Sequence, residues 1–303
     1  MPLDERDEMI DQPIRDLLGN GNQPLLSYEF FPPKDDQGME TLRGIVERLQ
    51  PTRPDFVTVT YGAGGSTRER SFKVCSMLAE MGLTPVMPHL TCVGSSRDDL
   101  RALADEIYER GHRNIMTLRG DPPKGDTTFT PAPDGLSYAV DLVRLLKDQH
   151  PDFCCGVAAY PEKHPEAASP ESDLDNLKAK FDAGGDFGTT QLFFDNAVYY
   201  RFLEKATAAG VTKPILPGLL PALSLKQVER MCAMCQASLP PALAERLASA
   251  GGDADAAEQV GIDWAIEQIR DLLDHGVPGV HLYILNRSRA ALSKPLLELF
   301  GRS

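Results

Sequence analysis

Short apolar runs alternate with longer amphipathic stretches from one end of the chain to the other. Of the runs at 25–31, 56–61, 84–91, 114–119, 153–159, 189–194, 213–219 and 279–285, several are β-branched or aromatic and apolar at nearly every position (VTVTY, VHLYIL). A strand buried on both faces carries that signature, whereas a half-exposed strand alternates. Between the runs, stretches such as METLRGIVERL, RDDLRALADEIYERG, SYAVDLVRLLKDQH, AVYYRFLEKATAAG and DWAIEQIRDLLDHG space apolar residues three and four apart. That is helix periodicity, and several of these stretches stop at a glycine just past the pattern, a common helix end.

The reading is eight strands and eight helices in strict alternation, which over about 280 residues is the arithmetic of a closed (β/α)8 barrel, a TIM barrel. An open doubly wound sheet is the architectural alternative, and it would want a phosphate-binding glycine turn near its start. Tyr61-Gly62-Ala63-Gly64-Gly65-Ser66 follows a strand but lacks the G-x-G-x-x-G spacing. Residues 1–22 read as a leading helix or mobile tail, with one barrel domain over 23–303. Residues 237–258, punctuated by Pro240-Pro241 and Gly251-Gly252, read as extra helices before the last one.

Charge narrows the partners. The 303 residues carry 31 Lys+Arg against 44 Asp+Glu, a net charge of −13. That argues against a general nucleic-acid binder, but not against an anionic small ligand in a local basic pocket. No apolar run reaches the roughly 18 residues of a membrane helix. The acidic N-terminus has no apolar signal core, and six cysteines make no disulfide framework at this length. A cytoplasmic protein without membrane or nucleic-acid partners is expected.

In a barrel the chemistry sits at the C-terminal ends of the strands. There the sequence places Glu29 (in YEFFPP), His89, Arg119-Gly120-Asp121, the run from Tyr160 to Glu166, Gln191, Asp195-Asn196 and Asn286-Arg287. A carboxyl group enclosed by aromatic and proline residues favours its neutral form, which suits a general acid. Pairing of Glu29 with an arginine such as Arg119 is the structural alternative. Asp121 either caps a loop or sets negative charge beside a cofactor. Two carboxylates on strands one and four also suit glycoside hydrolysis, although Trp264, the lone tryptophan, falls in the last helix. The six histidines show no H-E-x-x-H or H-x-H spacing, so no metal site is expected. His89 and His164 fall at the rim; His112, His150, His275 and His281 read as surface or structural. Cys154-Cys155 and the C-x-x-C at Cys232 and Cys235 read as core cysteines.

The segments SYEFFPPK, FVTVTYGAGGSTRERS, PHLTC, RGDPP, AAYPEKHPEA, TTQLFFDN, LPGLLP and LYILNRS follow in order, one per strand end, from about Leu26 to about Ala291. Together they resemble the methylenetetrahydrofolate reductase family, in its single-domain bacterial type. The resemblance implies a (β/α)8 barrel that holds FAD without a Rossmann motif. It implies ping-pong transfer of hydride from NADH or NADPH to the flavin, then to methylenetetrahydrofolate, giving 5-methyltetrahydrofolate for one-carbon metabolism and methionine synthesis. By the same resemblance Glu29 is the acid that protonates N10 of the folate, Asp121 lies near flavin and pterin, and Gln191 hydrogen-bonds the pterin. Thr60, His89, Arg119, Gly120, Asp121, Ala158, Tyr160, His164, Asp173, Asn176 and Lys180 fall on flavin-binding positions. Gln227, Met231 and Arg287 fall on positions for folate.

Ala179 stands where relatives often have an arginine, which removes one phosphate contact, and Met231 stands where an aromatic residue can pack on the ligand. The chain stops at Ser303, so a C-terminal adenosylmethionine-binding domain and feedback through it are not expected. Homo-oligomers are common in the family. Three competing readings stand beside this one: the same reaction with a flavin-independent or partner-protein electron source, a folate-dependent methyltransferase on the same barrel, and a non-catalytic folate- or flavin-binding module.

Overall fold

The computed structural model describes residues 11–19, 21, 23–61, 65–122 and 129–302. Its strands are β1 (Leu25–Phe30), β2 (Phe56–Val59), β3 (Val86–Thr91), β4 (Asn114–Leu118), β5 (Cys154–Ala159), β6 (Phe187–Thr190), β7 (Ile215–Leu216), β8 (Gly218–Leu219) and β9 (Gly279–Leu282). All pairings are parallel, in the order β7-β6-β5-β4-β3-β2-β1-β9-β8.

β7 and β8 are two halves of one segment, interrupted at Pro217, which has no N–H to give to a ladder. The first half pairs with β6 and the second with β9, so this segment closes the ring. Gly218 N–H donates to Thr190 Oγ1 at 2.8 Å, and His281 N–H donates to the Pro217 carbonyl at 2.9 Å. The result is the eight-staved (β/α)8 barrel.

The helices are α1 (Ile14–Gly19), α2 (Asp36–Leu49), α3 (Gly65–Glu80), α4 (Arg97–Glu109), α5 (Ala139–Gln149), α6 (Pro170–Asp182), α7 (Asn196–Ala208), α8 (Leu225–Cys235), α9 (Pro241–Ala248), α10 (Ala254–Asp274) and α11 (Lys294–Leu299). Gly82, Gly111, Gly184, Gly210 and Gly276, just past α3, α4, α6, α7 and α10, all take positive φ, the conformation that ends a helix at glycine. Ser96 begins α4 with a reciprocal capping box, and Ser169 does the same for α6.

The elements differ from eight strictly alternating strands and helices with the expected bounds in four places. α1 precedes the first strand, and its Ile14 plugs the N-terminal end of the barrel; residues 1–10, 20, 22 and 62–64 lie outside the described residues. The insert at 237–258 forms α9 and the start of α10, and α11 follows, so Trp264 lies in α10 rather than in the last helix. The sixth strand is the third departure. It spans Phe187–Thr190, not 189–194, because Leu192 and Phe194 are buried by packing on α8 and α9 and not by a ladder. The last strand stops at Leu282, and Leu285 and Asn286 turn into left-handed backbone with φ of 52° and 53°.

Side chains alternate across each strand. Outward residues such as Leu26, Tyr28, Phe30, Val57 and Val59 form the main core beneath the helices. Inward, Leu25, Phe56, Met87, Met116, Cys154, Phe187 and Leu216, one from each of β1 to β7, make an apolar layer. The Phe56 and Phe187 rings meet across it at 6.2 Å. Two residues further along the strands the interior turns polar, with Ser27, Thr58 and His89.

Backbone approach is tightest at Gly261 of α10, where an added Cβ would stand 1.9 Å from the Ala222 carbonyl oxygen. Gly261→Ala is expected to lower stability by about 1–3 kcal/mol, since backbone cannot give way as a side chain does. Gly44→Ala on α2, with nothing within 4 Å, should raise it by about 0.5–1 kcal/mol. Thermal melts of the two variants check this; an unchanged midpoint for Gly261→Ala would mean that α10 is not seated against Ala222.

Candidate active site

Glu29 is the next-to-last residue of β1, points into the barrel and is 8% exposed. Its Oε2 lies 3.5 Å from His89 Nε2 on β3 and 3.8 Å from His281 Nε2 on β9. Thr58 of β2 is its register partner. His281 Nδ1 is 2.8 Å from Ser27 Oγ, and its ring stacks parallel to Phe56 with centroids 6.2 Å apart. Burial lowers the His89 imidazole below its ordinary value, with Glu29 opposing and His281 reinforcing the shift. His89 is therefore a neutral neighbour near pH 7. Among the described residues, His89 Nε2, Thr58 Oγ1 and Thr91 Oγ1 are buried without a hydrogen-bond partner. Buried polar atoms normally have one, so the mouth of the barrel is chemically prepared for a polar ligand. Tyr283, beyond β9, donates its hydroxyl to the Thr190 carbonyl at 2.6 Å, and burial pushes its phenol well up, Glu29 adding to the effect.

Arg119 is not the partner of Glu29. Its guanidinium makes a forked pair with Glu166, at 2.5 and 2.8 Å, and lies over the Phe129 ring at 4.9 Å. This pair belongs to a second space, a cleft of about 510 Å³ along the ends of β4 and β5 and the inner side of α6. Arg119, Ala158, Tyr160, His164, Asp173, Asn176 and Lys180 all line it, as does Ala179. The spacing of Asp173, Asn176 and Lys180 puts them on one face of α6.

The cleft's loop is tied down. His164 N–H donates to Asp173 Oδ2 at 2.9 Å, and the Tyr160 and His164 rings meet edge to face at 4.7 Å. Lys180 Nζ donates to the Ala158 carbonyl, and burial lowers its ammonium to about 8 while Asp173 resists. Gly120 has φ of 86°, and a Cβ there would meet Val93 Cγ1 at 2.7 Å, so this turn below the cleft admits only glycine. Asp121 is exposed, and its charge reaches Arg119, Tyr160 and Cys235, which puts it on the ground between the cleft and α8.

Thr60, His89, Gly120 and Asp121 do not line the cleft among its described residues; His89 sits instead beside Glu29. Gln191 follows β6, half-buried, with its Oε1 turned back to the Leu192 N–H at 2.9 Å. Gln227 accepts from Leu223 N–H at 2.8 Å through Oε1, leaving its buried Nε2 unpartnered. Met231 packs on the cluster of Leu192, Phe194 and Leu220. Arg287 is exposed beside a small crevice lined by Leu223 and Tyr283.

His281 was expected to be surface or structural, and it is neither exposed nor remote from Glu29. The signal was available in period two: in Gly279–Leu282 the histidine alternates inward, while its neighbours Val280 and Leu282 face the helices. Tyr283 was missed in the same way. Among the described residues no group of three or more His, Cys, Asp or Glu is placed to hold a metal.

An inward acid at the C-terminal mouth of a closed parallel barrel, beside a cleft of nucleotide size, places the chain among the (β/α)8-barrel enzymes. Residues 14–294 match the family model of methylenetetrahydrofolate reductase. The 5,10-methylenetetrahydrofolate reductase of Pectobacterium carotovorum subsp. carotovorum is 39% identical over 294 residues, 97% of this chain and 95% of that one. The Escherichia coli K12 protein of the same name is 37% identical over 281 residues, 93% and 92% of the two chains. Methylenetetrahydrofolate reductase (NADH) 1 of Arabidopsis thaliana is 35% identical over 280 residues, 89% of this chain and 47% of the plant protein. The chain belongs to the methylenetetrahydrofolate reductase family. In structure it is similar to an uncharacterized Clostridium thermocellum protein that binds two copies of 5-methyl-5,6,7,8-tetrahydrofolic acid, with TM-score 0.64, 18% identity and coverage of 94% and 96%. At that identity the likeness is one of fold.

Lys180 provides a pH test of the cleft. Its ammonium falls from the ordinary 10.5 to about 8 in the folded chain, so between those values the unfolded chain binds more protons. Stability from this group is therefore fully present above about 10.5 and is lost as pH falls through about 8. Unfolding of the ligand-free protein followed across roughly pH 7–11 should show that rise, and Lys180→Met should lack it. Parallel profiles for the two proteins would mean the ammonium is solvated.

Proposed function

We propose that this chain reduces 5,10-methylenetetrahydrofolate to 5-methyltetrahydrofolate, with NADH or NADPH as hydride source and a bound FAD, in two half-reactions at one site. The observation that carries the reading is Glu29, a buried carboxyl group in the polar mouth of the barrel with two histidines beside it. Membership of the reductase family supports the reaction. The name of the plant relative supports a nicotinamide donor.

The donor set of the cleft fits a flavin dinucleotide. Arg119 and Lys180 are the cations for a diphosphate, Tyr160 offers an aromatic face, and Asp173 and Asn176 suit hydroxyl groups. Thr60, His89, Gly120 and Asp121 belong to the same flavin-binding set, His89 from beside Glu29 and Gly120-Asp121 from the loop after Arg119. When bound, FAD supplies a two-electron relay between nicotinamide and folate.

The chain's own residues do the rest. Glu29 gives its proton to N10 of the folate, the bond from the bridging carbon to N10 breaks, and the carbon is left as an N5-methylene cation that accepts hydride. The two histidines flank the Glu29 carboxyl group at 3.5 and 3.8 Å, and His89, neutral through burial, puts no competing positive charge there. Asp121 stabilises the cation electrostatically from the rim. Gln191 hydrogen-bonds the pterin, Gln227 offers its free Nε2, Met231 packs on the ligand more loosely than an aromatic ring would, and exposed Arg287 supplies a cation for the folate. No helix of the described residues is long and apolar enough to cross a membrane, and we place the enzyme in the cytoplasm, as a homo-oligomer.

One observation favours a second reading, the same reaction with no resident flavin. Ala179 supplies no cation, and Arg119 is already paired with Glu166.

An anaerobic absorbance spectrum separates the two. Flavin bands near about 380 and 450 nm that bleach with NADH and recover with methylenetetrahydrofolate are expected; a protein colourless after incubation with FAD would leave the second reading. In Glu29→Gln, oxidation of the reduced flavin by methylenetetrahydrofolate should slow by about 10²–10⁴-fold, the usual contribution of a general acid. Flavin reduction by NADH should persist. Equal loss of both half-reactions would remove Glu29 from the acid role.

A further inference from the structure

The cleft beside the barrel mouth is lined by two cations, Arg119 and Lys180, and by two carboxylates, Glu166 and Asp173. Neither cation is free. Lys180 is turned to the Ala158 carbonyl, and both guanidinium Nη atoms of Arg119 are taken by the two oxygens of Glu166. A forked arginine–carboxylate pair is the same geometry in which a guanidinium grips a phosphate.

Glu166 is presented by its loop and does not reach Arg119 by chance. Its own N–H donates to His164 Nδ1 at 3.0 Å. Lys163, with φ of 105°, donates through Nζ to the carbonyls of His164 and Ala167, at 3.0 and 2.7 Å, and so staples the turn that carries it. The carboxylate nonetheless stays half-exposed, whereas the Arg119 side chain is 18% exposed and rests over Phe129. Glu166 can therefore swing into water while the guanidinium stays in place.

We propose that Glu166 is a resident surrogate anion, which occupies Arg119 in the ligand-free cleft and must be displaced by the diphosphate of an incoming dinucleotide. This rests on the reading of the cleft as the flavin site. Glu166 then sets how tightly the cofactor is held. With Ala179 offering no second cation on α6, the cofactor trades one anion for another at Arg119 and remains exchangeable. The sign of the effect is diagnostic, since removing a residue that merely shapes a site weakens binding, whereas removing a competitor strengthens it.

The test is titration of flavin-stripped protein with FAD, followed by quenching of flavin fluorescence, for the unmodified chain, Glu166→Gln and Glu166→Ala, with thermal melts to verify folding. Both variants should bind FAD roughly fivefold more tightly, the upper end of what a partly exposed pair contributes. In an Arg119→Met background, Glu166→Gln should change nothing. FAD binding by Glu166→Gln alone, with none by the unmodified chain, would support the proposal in its strongest form. Equal or weaker binding by both variants overturns it and leaves the flavin site standing. If no variant binds FAD, the flavin site and the proposal fall together.

Discussion

Closure of a parallel sheet is the constraint on which everything else rests. When all staves run the same way, their C-terminal ends share one rim, and every inward side chain belongs to a layer defined by its distance from that rim. Here closure depends on a segment with a proline in its middle. Ile215–Leu216 faces β6, Gly218–Leu219 faces β9, and Pro217, which has no N–H to donate, stands where the segment changes partner. Thr190 Oγ1 and the Pro217 carbonyl take up the backbone groups at the break.

The layers then divide the labour. The lower one, from Leu25 to Leu216 and capped by Ile14, is apolar and carries stability. The one above it is polar and carries chemistry, with Ser27, Glu29, Thr58, His89 and His281 crowded together. A charge placed there is surrounded by little water, so its neighbours decide its behaviour more than solvent does. The insert at 237–258 contributes from outside, since α9 and α10 close an apolar cluster with α8, which carries Met231, and with the loop after β6, which carries Gln191.

Two electrostatic neighbourhoods lie side by side at the rim. Around Glu29 there is no lysine or arginine partner among the ion pairs of the described residues, only imidazoles. Around Arg119 and Lys180 the cations are matched by Glu166 and Asp173. Keeping the acid away from the arginine matters, because an adjacent guanidinium would hold the carboxylate ionised and unfit to donate a proton. The fork with Glu166 is one device that keeps Arg119 so occupied.

Much of this was legible along the chain. Both-face burial of the runs, helix periodicity and terminal glycines are local properties, and they specify the barrel. The rim position of Glu29, His89, Arg119, Tyr160, His164 and Gln191 follows from their place within or just after a run. Period alone cannot distinguish burial in a ladder from burial in a loop, and so the sixth strand was displaced toward Leu192–Phe194. Nor does order along the chain say which rim groups meet. Glu29 and His281 are separated by most of the sequence and become neighbours only because the first and last strands pair. Arg119 meets Glu166 rather than Glu29 for the same reason, since β4 lies beside β5. The sequence by itself determined the elements, their order and the inventory of reactive groups, because those depend on near neighbours. Which of those groups come within reach of one another, pair charges or line one cleft was decided by ring closure, which sets distances that no local pattern contains.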